Sequence, residues 1–237
     1  MQEVGALLSP ISCIYKRFKS LFIKKMRIPI LESVSRNTEI EEISILLDTL
    51  PQFQLSNQPW AAFKSNCETS FVIAHTGDTI CLKFLVKEDV IKVTTYQTNG
   101  RVHKDNCVEF FVAFGEQKKY YNIEFNCTGI CLIGFGERRL NRRLLEEKLI
   151  AKVKTHIKIN TMPANSSTRY KWEITAIIPI EIFEAGNLTS FHNLKGFGNF
   201  FKCGDDLPQP HFYSWNAIDA KSPDFHLPEF FGTLLFD

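Results

Sequence analysis

Much of this chain alternates apolar and polar residues with a period of two, which leaves few folds open. The runs FVIAHT, TICLKFLVK, VIKVTTYQ, VEFFVAFG, YYNIEFN, GICLIGFGE, AKVKTHIKIN and RYKWEITAIIP all carry the pattern. A period of two sends successive side chains to opposite faces, which is strand geometry. Short turn signals such as Thr76-Gly77-Asp78 and Asn99-Gly100 separate most of the runs. Many short strands without alternating helices predict an all-β fold, an antiparallel β-sandwich, and argue against a parallel α/β fold. Helical periodicity occurs twice. In NTEIEEISILLDTLP, Thr38 and Glu41 have capping-box spacing, Ile40, Ile43, Leu47 and Leu50 share a face, and Pro51 stops the helix. NRRLLEEKLI is charged and leucine-spaced, which predicts a short helix between strands.

The alternation also assigns faces. In RYKWEITAIIP, Tyr170, Trp172, Ile174, Ala176 and Ile178 point one way, with Arg169, Lys171, Glu173 and Thr175 opposite. AKVKTHIKIN predicts Val153, Ile157 and Ile159 inside and its lysines and His156 outside. In YYNIEFN, Tyr121, Ile123 and Phe125 form a core face, and Tyr120, Asn122, Glu124 and Asn126 face away. That second face is either a lining for a polar, neutral ligand or a surface that meets water. Glu109 projects with Phe111 and Ala113 from the face opposite Val108, Phe110 and Val112, and an acid in such company needs a partner.

Several function classes find no support. A net charge of +2 makes no case for nucleic acid or an anionic membrane. The six histidines lack H-x-H or H-E-x-x-H spacing, and there is no P-loop, dinucleotide fingerprint or G-x-S-x-G elbow. Met162, ahead of Pro163 in what reads as a polar loop, is a poor haem ligand. The seven cysteines form no C-x-x-C pair and read as buried free thiols of a reducing compartment. In residues 1–25 the basic residues follow a short apolar run, the wrong order for a secretory signal and too short for a membrane span. This segment reads as a loose tail or mis-called start, and residues 26–237 as one domain opening on MRIPIL. The expectation is a cytoplasmic protein, with export left open.

The segment YSWNAIDAKSPDFHLPEFFG spends aromatic residues on a proline-broken loop. Phe225 and Trp215 there are either ligand-stacking surfaces or plugs at the end of the core. Phe230 and Phe231 read as plugs. Together with KDNCVEFFV, YYNIEFN, RYKWEITAIIPIEIF, GNFFKCGD and HFYSWNAI, this segment resembles the carbohydrate-binding modules of family nine, over roughly residues 57–236. The resemblance implies a DOMON-like β-sandwich that binds sugar without catalysis, often as the partner of a glycoside hydrolase and in several cases with structural calcium. Carried onto this chain, it places a sugar-binding glutamate on Glu109. One tryptophan of the family's sugar clamp falls at His103 and the other on Phe225, and Glu124 stands where the family has an arginine. The expected ligand-binding set is therefore His103, Glu109, Asn122, Glu124, Asn126, Trp215, Phe225 and His226. No cofactor is required, and calcium is allowed by the resemblance alone. The competing reading is a glycan hydrolase or lyase with Glu109 and Glu124 as its acids.

Overall fold

The alternating runs pair into two sheets in the computed structural model, which describes residues 23–35, 37–115, 118–164 and 167–237. In chain order the elements are β1 (Lys25–Ile28), α1 (Ile40–Leu47), β2 (Phe53–Gln54), β3 (Glu68–His75), β4 (Thr79–Glu88), β5 (Cys107–Phe114) and β6 (Tyr120–Asn126). They continue with β7 (Cys131–Gly136), β8 (Arg143–Leu144), α2 (Glu147–Ile150), β9 (Lys154–Ala164) and β10 (Ser167–Pro179). The last are β11 (Lys195–Cys203), β12 (Phe212–Ser214) and β13 (Gly232–Phe236). One sheet runs β1-β13-β11-β5-β6-β7-β8, with β12 on β11, and the other runs β2-β3-β4-β10-β9. The β1–β13 ladder is parallel and the others described are antiparallel.

Between the sheets lies the main core. Val108, Phe110 and Val112 of β5 and Tyr121, Ile123 and Phe125 of β6 face Phe71, Phe84, Trp172, Ile174 and Ile178 of the other sheet. Phe200 stacks on Phe71 at 3.8 Å and on Phe110 at 4.6 Å, tying the layers together. Each such buried ring contributes about 1.5–3 kcal/mol of transfer free energy. At one end of this core Lys202 and Glu88, both buried, form an ion pair at 3.1 Å. Glu88 also accepts from Trp172 Nε1, and Lys202 Nζ meets His211 Nε2 at 3.0 Å.

A second apolar cluster covers the outer face of the larger sheet, where Phe111, Ala113, Tyr120 and Phe201 meet Trp60, Phe225 and Phe231 from loops. On the outer face of the smaller sheet, Ile43 and Leu47 of α1 cover Val72, Ala74 and Cys81. The outer faces of both sheets are thus dry in part, which explains the buried Thr175 on the face expected to be polar.

Several expectations need correction. VIKVTTYQ forms no ladder, because side chains take its backbone bonds. Asp105 accepts from the Thr94 and Thr95 N–H groups at 2.8 and 3.0 Å, and Asn106 accepts from Lys92 N and donates to Val90 O. Ile91 and Val93 still pack on the core, so the alternation was real although the strand is not. The capping box does not form: α1 begins one residue later than the spacing requires, at N-cap Glu39, and Thr38 Oγ1 accepts from Ser35 N instead. Ile159 is exposed, since β9 is an edge strand with a free flank. That same edge position tolerates Pro163, so Met162 and Pro163 lie in a strand, not a loop. NRRLLEEKLI divides into β8 and the single turn α2.

Pairing also starts before Met26. Lys25 opens β1, Lys24 O accepts from Thr233 N at 2.9 Å, and Lys24 N donates to Asn216 Oδ1 at 2.8 Å. Of the loose tail expected over residues 1–25, residues 1–22 lie outside the described residues. Cys67, Cys81, Cys107, Cys127, Cys131 and Cys203 are free and buried, and Cys13 lies outside the described residues. No described helix is long and apolar enough to cross a membrane.

Candidate functional site

Strand register builds the site from the polar half of the pleat. β5 and β6 place Glu109 directly opposite Glu124, and β11 places Cys203 opposite Cys107 on the same outer face. Glu109, Asn122, Glu124 and Cys203 thus share one floor, under a pocket of about 430 Å³. One wall is Phe212 with the segment Pro223–His226, and the other is Arg139–Arg142 with Leu144. His103 and Asp205 stand at the rim.

The floor is held by a chain of hydrogen bonds. Arg142 Nε donates to Asn122 Oδ1 at 2.7 Å, and Asn122 Nδ2 donates to Glu124 Oε1 at 2.7 Å. The rest of the Arg142 guanidinium donates to the carbonyls of Tyr120, Gly134, Gly136 and Arg138, and its plane lies 4.3 Å from the Tyr120 ring centre. Gly134 makes room for this chain, since a Cβ there would lie 2.6 Å from Asn122 Oδ1. Cys203 Sγ donates to Glu109 Oε1 at 3.0 Å. Glu124 Oε2 is buried without a hydrogen-bond partner, for His103 Nδ1, at 3.9 Å, is too distant to donate.

Burial sets the electrostatics. Glu109 titrates well above the usual carboxylate range, because it is desolvated and the Glu124 charge lies across from it. Desolvation also raises Glu124 to about 7, against the opposing pull of the Asn122 hydrogen bond and Arg142. Asp205 is raised by burial, partly offset by His103. His226 is lowered to about 3 by burial and by Arg142 nearby, so it is neutral at physiological pH; its Nδ1 lies 2.9 Å from Tyr120 Oη. The floor is therefore rich in oxygen acceptors and poor in net charge.

Six of the eight expected residues meet here: His103, Glu109, Asn122, Glu124, Phe225 and His226. Trp215 does not. It is buried in the main core edge-on to Phe71 and Phe200, with Lys24 over its ring, so it is a packing residue. Asn126 is also displaced from the pocket. Its Nδ2 donates to Asp105 Oδ2 and Thr95 O, and its Oδ1 accepts from Thr128 and Ile130, a closed structural network. Phe225 has a double role, since it lines the pocket while its ring stacks on Phe201 at 4.2 Å and 10°. Trp60 braces this loop by donating its Nε1 to Ala220 O and packing on Phe225. Phe231 is buried, as expected of a plug.

Sequence reasoning missed Arg139, Arg142, Asp205 and the pocket-facing role of Cys203. The paired arginines of NRRLLEEKLI were the available signal for Arg142, but the charge and leucine spacing of that segment predict only a short helix between strands. Calcium fares poorly on donor chemistry. The two groups of three metal-ligating side chains among the described residues, Cys67/Glu88/His211 and Cys107/Glu109/Cys203, each include a thiol, whereas calcium takes oxygen ligands.

A two-sheet sandwich with an open polar pocket on one outer face, walled by loops, defines the class: a β-sandwich binding module. More specifically, residues 41–236 match the model of carbohydrate-binding family 9, and the chain belongs to that family. It is 35% identical to a candidate carbohydrate-binding protein from Bacteroides uniformis, whose crystal structure superposes with a TM-score of 0.84 over 91% of this chain and 100% of that one. A family 9 module from Caldicellulosiruptor kristjanssonii, solved in complex with cellotriose, is 12% identical and shares the fold at a TM-score of 0.50, covering 90% of this chain and 93% of that one. No curated protein sequence matches the chain.

Proposed function

We propose that this domain binds a neutral carbohydrate in the pocket above Glu109 and Glu124, without cleaving it, in support of polysaccharide breakdown. The observation that carries this reading is the unpartnered, buried Glu124 Oε2 on a floor of further acceptors. A sugar hydroxyl donates one hydrogen bond and accepts others, so it satisfies such an oxygen without bringing charge into the pocket. His226 and Phe225 offer ring surface at the wall for the C–H face of a sugar. The family relative from Caldicellulosiruptor kristjanssonii, which holds cellotriose on the same fold, supports the reading.

A hydrolytic role is less well supported by the arrangement. Glycosidase carboxylates flank the scissile bond, whereas Glu109 and Glu124 rise side by side from adjacent strands of one floor. A glycoside hydrolase is the natural partner of such a module, since a bound glycan chain then stays near the enzyme.

Calorimetry with a panel of neutral mono- and oligosaccharides tests this, together with a reducing-end assay. The expected result is saturable binding with dissociation constants of roughly 10–1000 μM and no new reducing ends. Glu109→Ala should weaken binding by about 0.5–1.5 kcal/mol, as the hydrogen bond between its carboxyl group and a sugar hydroxyl is lost. Binding unaffected by changes at Glu109 and Glu124 would place the sugar elsewhere, and new reducing ends would restore the hydrolase reading.

A further inference from the structure

We propose a thiophilic metal site in the pocket floor, formed by Cys107, Cys203 and Glu109, with zinc as the expected ion. Cys107 and Cys203 face each other across the β5–β11 ladder, and Glu109 lies two residues along β5 on the same face. One donor atom from each residue, two sulfurs and a carboxylate oxygen, lies within 4.8 Å of the others. Both sulfurs lie within hydrogen-bond reach of the same oxygen, Glu109 Oε1, at 3.0 Å for Cys203 and 3.9 Å for Cys107, with His103 O at 3.6 Å and Val108 O at 3.7 Å as their respective alternative acceptors. Only thiol protons separate three electron-rich atoms. Tetrahedral zinc needs sulfur at about 2.3 Å and oxygen at about 2.0–2.2 Å, so small side-chain adjustments bring all three into reach.

The neighbourhood lacks the charge that these donors want. Glu109 is buried, and among the described residues it forms no ion pair with lysine or arginine. The other thiol-bearing group, Cys67, Glu88 and His211, shows the contrast. There the Lys202 ammonium already stands 3.1 Å from Glu88 and 3.0 Å from His211, so the place of a cation is filled. Glu109 and Cys203 line the open pocket, which gives an ion a path in. Glu124 Oε2, buried and unpartnered on the same floor, is a further oxygen donor, either directly or through a metal-bound water. Paired thiolates select zinc or cadmium over magnesium or calcium. Binding forms two metal–sulfur bonds and one metal–oxygen bond and releases to water the two thiol protons and any proton carried by the Glu109 carboxyl, with no change of oxidation state.

The test uses the full chain and the metal alone, so it does not depend on sugar binding. Cadmium titration should reach saturation at one equivalent and produce an ultraviolet thiolate-to-metal charge-transfer band. Cys203→Ser and Cys107→Ser should each halve that band and weaken binding by about 10-fold or more. Cys81→Ser, under α1 on the other sheet, should leave both unchanged. Zinc X-ray absorption on the unmutated protein should show two sulfurs at about 2.3 Å, which covers the case in which a serine variant fails to fold. Absence of a saturable equivalent, a band indifferent to Cys107 and Cys203, or a zinc shell without sulfur would each overturn the proposal.

Discussion

Replacing Glu124 with glutamine should stabilise the protein in alkaline solution and leave acid stability unchanged. Glu124 is buried, and desolvation lifts its titration from 4.5 to about 7. Between those values the folded chain keeps a proton that the unfolded chain has lost. Raising the pH through this window therefore favours unfolding: the penalty is absent below the unfolded value and complete above the folded one. At 1.36 kcal/mol per pH unit the full penalty is on the order of 3 kcal/mol. Glutamine removes it while keeping the acceptor for Asn122 Nδ2, and its amide nitrogen replaces the unpartnered Oε2. For a chain of this size, that corresponds to a rise of about 5–10 °C in melting temperature near pH 8 and almost none near pH 4. Melting curves of both proteins across this range are the assay. A temperature difference independent of pH, or a less stable variant near pH 8, would refute the reasoning.

Three further outcomes follow from the contacts. Asp105→Ala should cost about 2–4 kcal/mol and speed amide exchange at Thr94 and Thr95, because it strands the donors of Thr94, Thr95 and Asn126. Trp215→Phe should lower the melting temperature through lost core packing yet leave sugar dissociation constants unchanged when measured on folded protein, which calorimetry checks. Phe225→Ala should lose sugar affinity by about 1–2 kcal/mol and also stability by about 2–4 kcal/mol, since the ring that lines the pocket also stacks on Phe201.

The pocket floor was legible because β5 and β6 alternate strictly: once Phe110 and Ile123 go inside, Glu109 and Glu124 must share the opposite face. Residues whose role depends on distant partners were not legible. Asn126 has the same parity as Glu124, but Asp105, remote in sequence, claims its side chain. Trp215 follows Ser214 at the end of a short strand, and its inward turn is set by the Phe71 and Phe200 edges it meets across the sandwich. VIKVTTYQ has strand composition, yet two side chains downstream outcompete a neighbouring strand for its amides. In each case the deciding interaction is tertiary, and a local period does not contain it.

The same argument explains why the site tolerates so costly a floor. Shifting the register of β6 by one residue would bury Tyr120, Asn122, Glu124 and Asn126 between the sheets in place of Tyr121, Ile123 and Phe125. That exchange forfeits the transfer energy of three large side chains and strands polar groups in the core, several kcal/mol in each direction. The inner face therefore holds the outer one in place. Its stabilisation exceeds the penalty of two carboxyl groups brought together on buried ground, so Glu109 and Glu124 remain opposed. A change that loosens the inner face, such as Phe110→Ala, would disturb the pocket before any residue lining it is touched.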